Sequence, residues 1–108
     1  MAYYSIQNIP LTDLAKDFGT PLYVYDADKI REKISVLRAA FEGIDLTIKY
    51  AAKANTNLSI LRLMRENGVD MDVVSPQELE IGLIAGYEGS NITFTPSGVH
   101  FVEIEYAV

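Results

Sequence analysis

The chain has no cysteine and no tryptophan, and a single histidine, His100, among 108 residues. Without cysteine there are no disulfides and no thiolate metal sites. With one histidine in a turn and no cluster of ligating side chains, a zinc centre built within these residues is not expected, and His100 reads as a surface residue. Basic residues are also scarce: nine Lys and Arg stand against fifteen Asp and Glu, a net charge of −6. No Lys/Arg cluster is present to neutralise phosphates, so a nucleic-acid face is not expected, and the negative balance serves solubility. No apolar run approaches the ~20 residues that span a bilayer. Met1 to Asn8 lacks the basic start and apolar centre of a signal peptide, so a cytoplasmic location is expected. Low-complexity stretches are missing as well. With 49% hydrophobic and 22% charged residues, the chain can build one modest core.

What is present is an alternation of helix and strand signals. Residues 10–18 read as a short helix stopped by Gly19. Thr20-Pro21 favours extended backbone, and the β-forming run Leu22 to Tyr25 reads as a strand, with Asp26 able to cap the next element. Residues 27–41 read as a helix from the spacing of Ile30, Ile34, Leu37 and Phe41, ended by Gly43. Leu46 to Ala52 is apolar at nearly every position, as in a parallel strand buried on both faces. Residues 57–67 form another helix before Gly68, and Val69 to Val74 a further strand. Ser75-Pro76-Gln77-Glu78 reads as a capping box opening a helix to about Ala85. Ile92 to Thr95 is the next strand, broken at Pro96, and Val102 to Val108 begins another helix.

The strand ends fall near Lys53, Ser75 and Thr95, about 20 residues apart. Strands and helices repeating at that interval make an α/β array with a parallel sheet. An eight-stranded barrel of this kind needs roughly 250 residues. The chain is therefore expected to be the N-terminal part of a longer protein, inactive as an isolated piece.

Sites in parallel α/β folds form at the C-terminal ends of strands. Lys53 stands at such an end, just before the polar turn Asn55-Thr56-Asn57, with small alanines around it. Lysine is a strongly hydrated charge, and in a dry site its amine loses its proton more readily and attacks carbonyl carbon. Strand alternation would place Lys49, Ala51 and Lys53 on one face. Lys49 competes as the reactive amine but lies ~13 Å back along the strand, toward the opposite mouth. Lys53 is preferred for that reason.

The segment Tyr50-Ala51-Ala52-Lys53-Ala54-Asn55 resembles the YAxKAN segment of the fold-type III pyridoxal phosphate decarboxylases, and within them the diaminopimelate-decarboxylating branch. Three other segments are similar to that family in the same order: residues 18–26, residues 68–79 and residues 92–99. The resemblance implies the first βα units of a (β/α)8 TIM-type barrel, preceded by an N-terminal strand of a separate β-domain. Residues 1–26 would contribute to the β-domain and 27–108 would start the cofactor-binding barrel. Lys53 would hold pyridoxal 5′-phosphate as a Schiff base. Asp72 would lie near cofactor and lysine, although a strand-end carboxylate paired with a neighbouring cation is an equal reading. Asn55 and Ser75 read as turn and capping residues, and Glu78 as a capping residue.

The implied activity is that of a carboxy-lyase of lysine biosynthesis, converting meso-2,6-diaminopimelate to L-lysine in a cytoplasmic homodimer. The implied partner is a small amino acid, with no nucleic acid, membrane or metal. The alternatives are another fold-type III decarboxylase or racemase acting on ornithine, arginine or carboxynorspermidine, or a non-catalytic relative that binds a protein. Lys49 departs from the family, which carries a small or apolar residue there, and Pro76-Gln77 replaces its usual glycine.

Overall fold

The computed structural model describes residues 4–108, which form two units, one ending at Glu42 and one running from Gly43 to Val108. In the first unit, β1 (Ser5–Ile6) pairs antiparallel with β2 (Ile9–Pro10). The turn between them places Gln7 and Asn8 at φ of 49° and 65°, the left-handed region that a two-residue hairpin demands. Helix α1 (Leu11–Phe18) ends where expected, its last turn closed by Gly19 N–H donating to the Ala15 carbonyl at 2.9 Å. Helix α2 (Ala27–Ala40) is capped by Asp26, whose carboxylate accepts from the amides of Asp28 and Lys29. Gln7 Nε2 donates to the same carboxylate at 2.8 Å and, as the largest effect, holds its pKa below the usual range.

The expected strand at Leu22 to Tyr25 is not part of a sheet. These residues have no ladder partner among the described residues and are exposed, Tyr23 to 88%. A β-forming composition states only that side chains suit a pleated surface, and pairing is what makes a strand.

The second unit is a βα array. Strands β3 (Lys49–Ala51), β4 (Asp70–Val73) and β5 (Ile92–Phe94) form one parallel sheet in that order, joined through α3 (Leu58–Glu66) and α4 (Pro76–Ala85). Helix α5 (Phe101–Ala107) comes after β5. Register is fixed by which residues meet the helices. Tyr50, Met71, Val73, Ile92 and Phe94 share one sheet face and pack with Ala52, Leu61, Leu79, Ile81, Ala85 and Tyr87 in a single core. Leu61, Met71 and Val73 are fully enclosed, each adding roughly 1.5–3 kcal/mol of burial.

The other face is polar, carrying Lys49, Asp70, Asp72 and Thr93. The expectation of a strand buried on both faces thus fails at β3. Its ladder is three residues long, it has one sheet neighbour, and Lys49 is exposed. The apolar run that suggested a longer strand includes Leu46, which is itself exposed.

Gly86 closes α4 at φ 97° in the left-handed conformation, its N–H donating to the Leu83 carbonyl. At the other end of α4, Ser75 Oγ accepts from the Glu78 amide at 3.2 Å, as a cap should. The return arm of the expected box lands one residue early: Glu78 Oε2 accepts from Val74 N–H at 2.9 Å. The carboxylate thereby ties α4 to the end of β4.

Candidate functional site

Lys53 is not the last residue of a strand. The β3 ladder ends at Ala51, and Ala52–Ala54 form a single 3-10 turn that packs against β4. Strand alternation stops there, so the expected shared face of Lys49, Ala51 and Lys53 does not extend to Lys53. Ala52 is fully buried beneath the turn, whereas Lys53 is exposed.

The turn is fixed from both sides. Asn55 N–H donates to the Ala52 carbonyl at 3.0 Å, and the Tyr50 phenol donates to the Asn55 carbonyl at 3.0 Å. Tyr50 thus bridges the strand before the lysine to the turn after it. Asn55 Oδ1 accepts from Asn57 N–H, and Asn57 Oδ1 caps α3 by accepting from Ser59 N–H, both at 2.9 Å. Asn55 and Ser75 therefore play the turn and capping roles expected of them.

Asp72 occupies the central strand, with Ala51 its register partner on β3 and Thr93 on β5. Lys53 lies two residues beyond Ala51, so lysine and carboxylate belong to adjacent strand ends on the same rim. The partner of Asp72 is not a cation. Thr95 Oγ1 donates to Asp72 Oδ1 at 2.5 Å.

Lys49 is committed elsewhere. Its Nζ donates to Thr93 Oγ1 at 2.6 Å and stands 3.9 Å from Asp70 Oδ2, while Asn91 Nδ2 donates to Asp70 Oδ1 at 3.1 Å. This cluster sits toward the N-terminal ends of the strands, away from Lys53. The parity of the strand positions in parallel register was its only sequence signal.

His100 is exposed at the start of α5, where its N–H donates to Glu103 Oε2. Among the described residues no helix is long and apolar enough to cross a membrane.

Residues 27–108 match the family described as pyridoxal-dependent decarboxylase, pyridoxal binding domain. The chain belongs to this family. It is 41% identical over 98 residues to the diaminopimelate decarboxylase of Methanothermobacter thermautotrophicus, covering 89% of this chain and 23% of that protein. Identity to the Bacillus methanolicus diaminopimelate decarboxylase is 35% over 108 residues, covering 98% of this chain and 25% of that protein. Among solved structures, diaminopimelate decarboxylase from Helicobacter pylori complexed with L-lysine superposes with a TM-score of 0.81 at 39% identity, covering 90% of this chain and 25% of that one. The chain spans about a quarter of the length of the curated relatives it matches. Its three βα-linked strands are the first units of the family's barrel.

The family's cofactor is pyridoxal phosphate, and the residues present fit its aldehyde end. They offer an exposed primary amine on a turn flanked by alanines and, at the end of the adjacent strand, a carboxylate whose Oδ1 is already engaged. The amine suits the aldehyde carbon, and the carboxylate suits a cationic nitrogen next to it.

Proposed function

We propose that the protein carrying this chain is a pyridoxal phosphate-dependent carboxy-lyase that removes CO2 from meso-2,6-diaminopimelate to give L-lysine. Lys53 is its cofactor-holding amine and Asp72 a cofactor-site carboxylate. The observation that carries this is the placement of Lys53 on a hydrogen-bonded turn at the C-terminal rim, one strand from Asp72, while the competing Lys49 is engaged at the other end of the sheet. The substrate is supported by the names of the relatives at 35–41% identity and by the L-lysine bound in one related structure.

Bound at Lys53, pyridoxal phosphate supplies a sink for the electrons left behind when the α-carboxylate departs as CO2. The chain's own part is placement. Lys53 Nζ would be the group that holds the cofactor, through its aldehyde carbon, at the rim. Asp72 would supply negative charge from the adjacent strand end of the same rim. Residues 1–26 are assigned to a separate β-domain, the match to the cofactor-binding family starting at residue 27. A cytoplasmic homodimer completes the reading.

The test is reductive trapping in the complete reading frame. Borohydride should attach the cofactor to the peptide containing Lys53, and Lys53→Ala should lose both the label and the visible absorbance of bound cofactor. A label that survives in Lys53→Ala would sink the assignment. Product analysis with diaminopimelate, ornithine and arginine then fixes the substrate.

A further inference from the structure

The register sets Asp72 between two flanking positions. Lys53 and Thr95 each lie two residues beyond a register partner of Asp72, one on either side. Thr95 Oγ1 is 2.5 Å from Asp72 Oδ1 and 3.5 Å from the Val73 carbonyl oxygen. A hydroxyl has one proton, and the shorter, charge-assisted contact takes it.

Both ends of that contact are anchored by the same ladder. Thr95 N–H donates to the Val73 carbonyl at 2.8 Å, continuing the β4–β5 pairing one residue past β5. The β-branched side chain adds stiffness at χ1. Asp72 sits in the only strand bonded on both sides in this sheet. Its Oδ1 is engaged by Thr95, and its Oδ2 has no partner among the described residues.

We propose that Thr95 is a positioning residue for Asp72: its hydroxyl fixes the carboxylate through Oδ1 and so reserves Oδ2 for a cationic nitrogen of the cofactor site. This rests on the assignment of Lys53 and Asp72 to that site. Serine keeps the hydroxyl and valine keeps the shape, so the two substitutions separate positioning from packing. Thr95 is exposed, and both variants should fold.

The experiment uses the complete reading frame, stripped of cofactor and titrated with pyridoxal phosphate while the visible band is followed. Thr95→Val should weaken binding about tenfold, the scale of a hydrogen bond to a charged group, and shift the band. Thr95→Ser should bind within about twofold of the parent. In an Asp72→Asn background, Thr95→Val should add nothing, and thermal unfolding should not change. The proposal is overturned if Thr95→Val binds like the parent, if serine fails to restore binding, or if the valine effect persists without the Asp72 charge. Borohydride labelling in the same series keeps the two readings apart. A label lost in Lys53→Ala with Thr95→Val unaffected removes the Thr95 role alone, whereas a label retained in Lys53→Ala removes the reading beneath it.

Discussion

Lys49 reaches across the central strand to Thr93. The two residues belong to β3 and β5, which flank β4, and Nζ to Oγ1 is 2.6 Å. Strands two apart in a sheet are ~9.6 Å apart, a gap that the long lysine stem spans. Asp70 lies beneath the arch, 3.9 Å from Nζ. Because 39% of the lysine side chain is exposed, solvent screens this pair, and its worth is small. Lys49→Met should cost less than about 1 kcal/mol in chemical denaturation. It should also leave borohydride labelling at Lys53 intact. Disappearance of the label in Lys49→Met would make Lys49 the anchor instead.

Gly82 faces the fully buried Met71. A Cβ at residue 82 would stand 2.7 Å from Met71 Sδ and 3.2 Å from Ile92 Cδ1. Two effects compete in Gly82→Ala. Helix propensity favours alanine by up to about 1 kcal/mol. Overpacking a closed core costs about 1–3 kcal/mol, and Met71, enclosed on every side, has little room to yield. The clash should win, with a net loss of about 1–2 kcal/mol by equilibrium unfolding. A Gly82→Ala protein more stable than the parent would show that the Met71 thioether can swing aside.

Tyr87 has its phenol in the core, where it donates toward the carbonyls of Val69 at 3.0 Å and Leu61 at 3.2 Å. Burial, reinforced by the nearby Asp70 carboxylate, pushes its pKa up to about 12 from the usual 10. The unfolded chain therefore ionises this group first. Its contribution to stability is complete below about pH 10 and is lost as pH rises through about 12. Tyr87→Phe should destabilise by about 1–2 kcal/mol at neutral pH, because the Val69 carbonyl, the nearer of the two, loses its donor. It should also flatten the alkaline fall in stability. Urea titrations of both proteins between pH 8 and 11 check this, and parallel slopes would count against the assignment.

The helices were legible because caps and apolar spacing carry their signal locally. Asp26 and Ser75 announce α2 and α4, and the structure uses both as caps. The β1–β2 hairpin was not legible, since two-residue strands have no period to detect. At Lys53 the sequence offered an apolar strand running straight into the lysine. Alanine is a weak strand former, and the turn at Ala52–Ala54 is closed by the Asn55–Ala52 and Tyr50–Asn55 hydrogen bonds. The position of Lys53 at the rim was readable from the repeat of strand ends. The bond from Thr95 to Asp72 was not, because it depends on a register that only pairing across three strands sets.

A lysine carried by a turn no longer follows the face-to-face alternation of the strand before it. A one-residue slip of a strand sends every side chain to the opposite face. The Ala52–Ala54 turn, stapled by the Tyr50 phenol, works instead as a short bracket bolted to the sheet edge. Substitutions along the polar face can then be made while the Lys53 turn stays where it is. A single change at Tyr50 would loosen the bracket without touching that face.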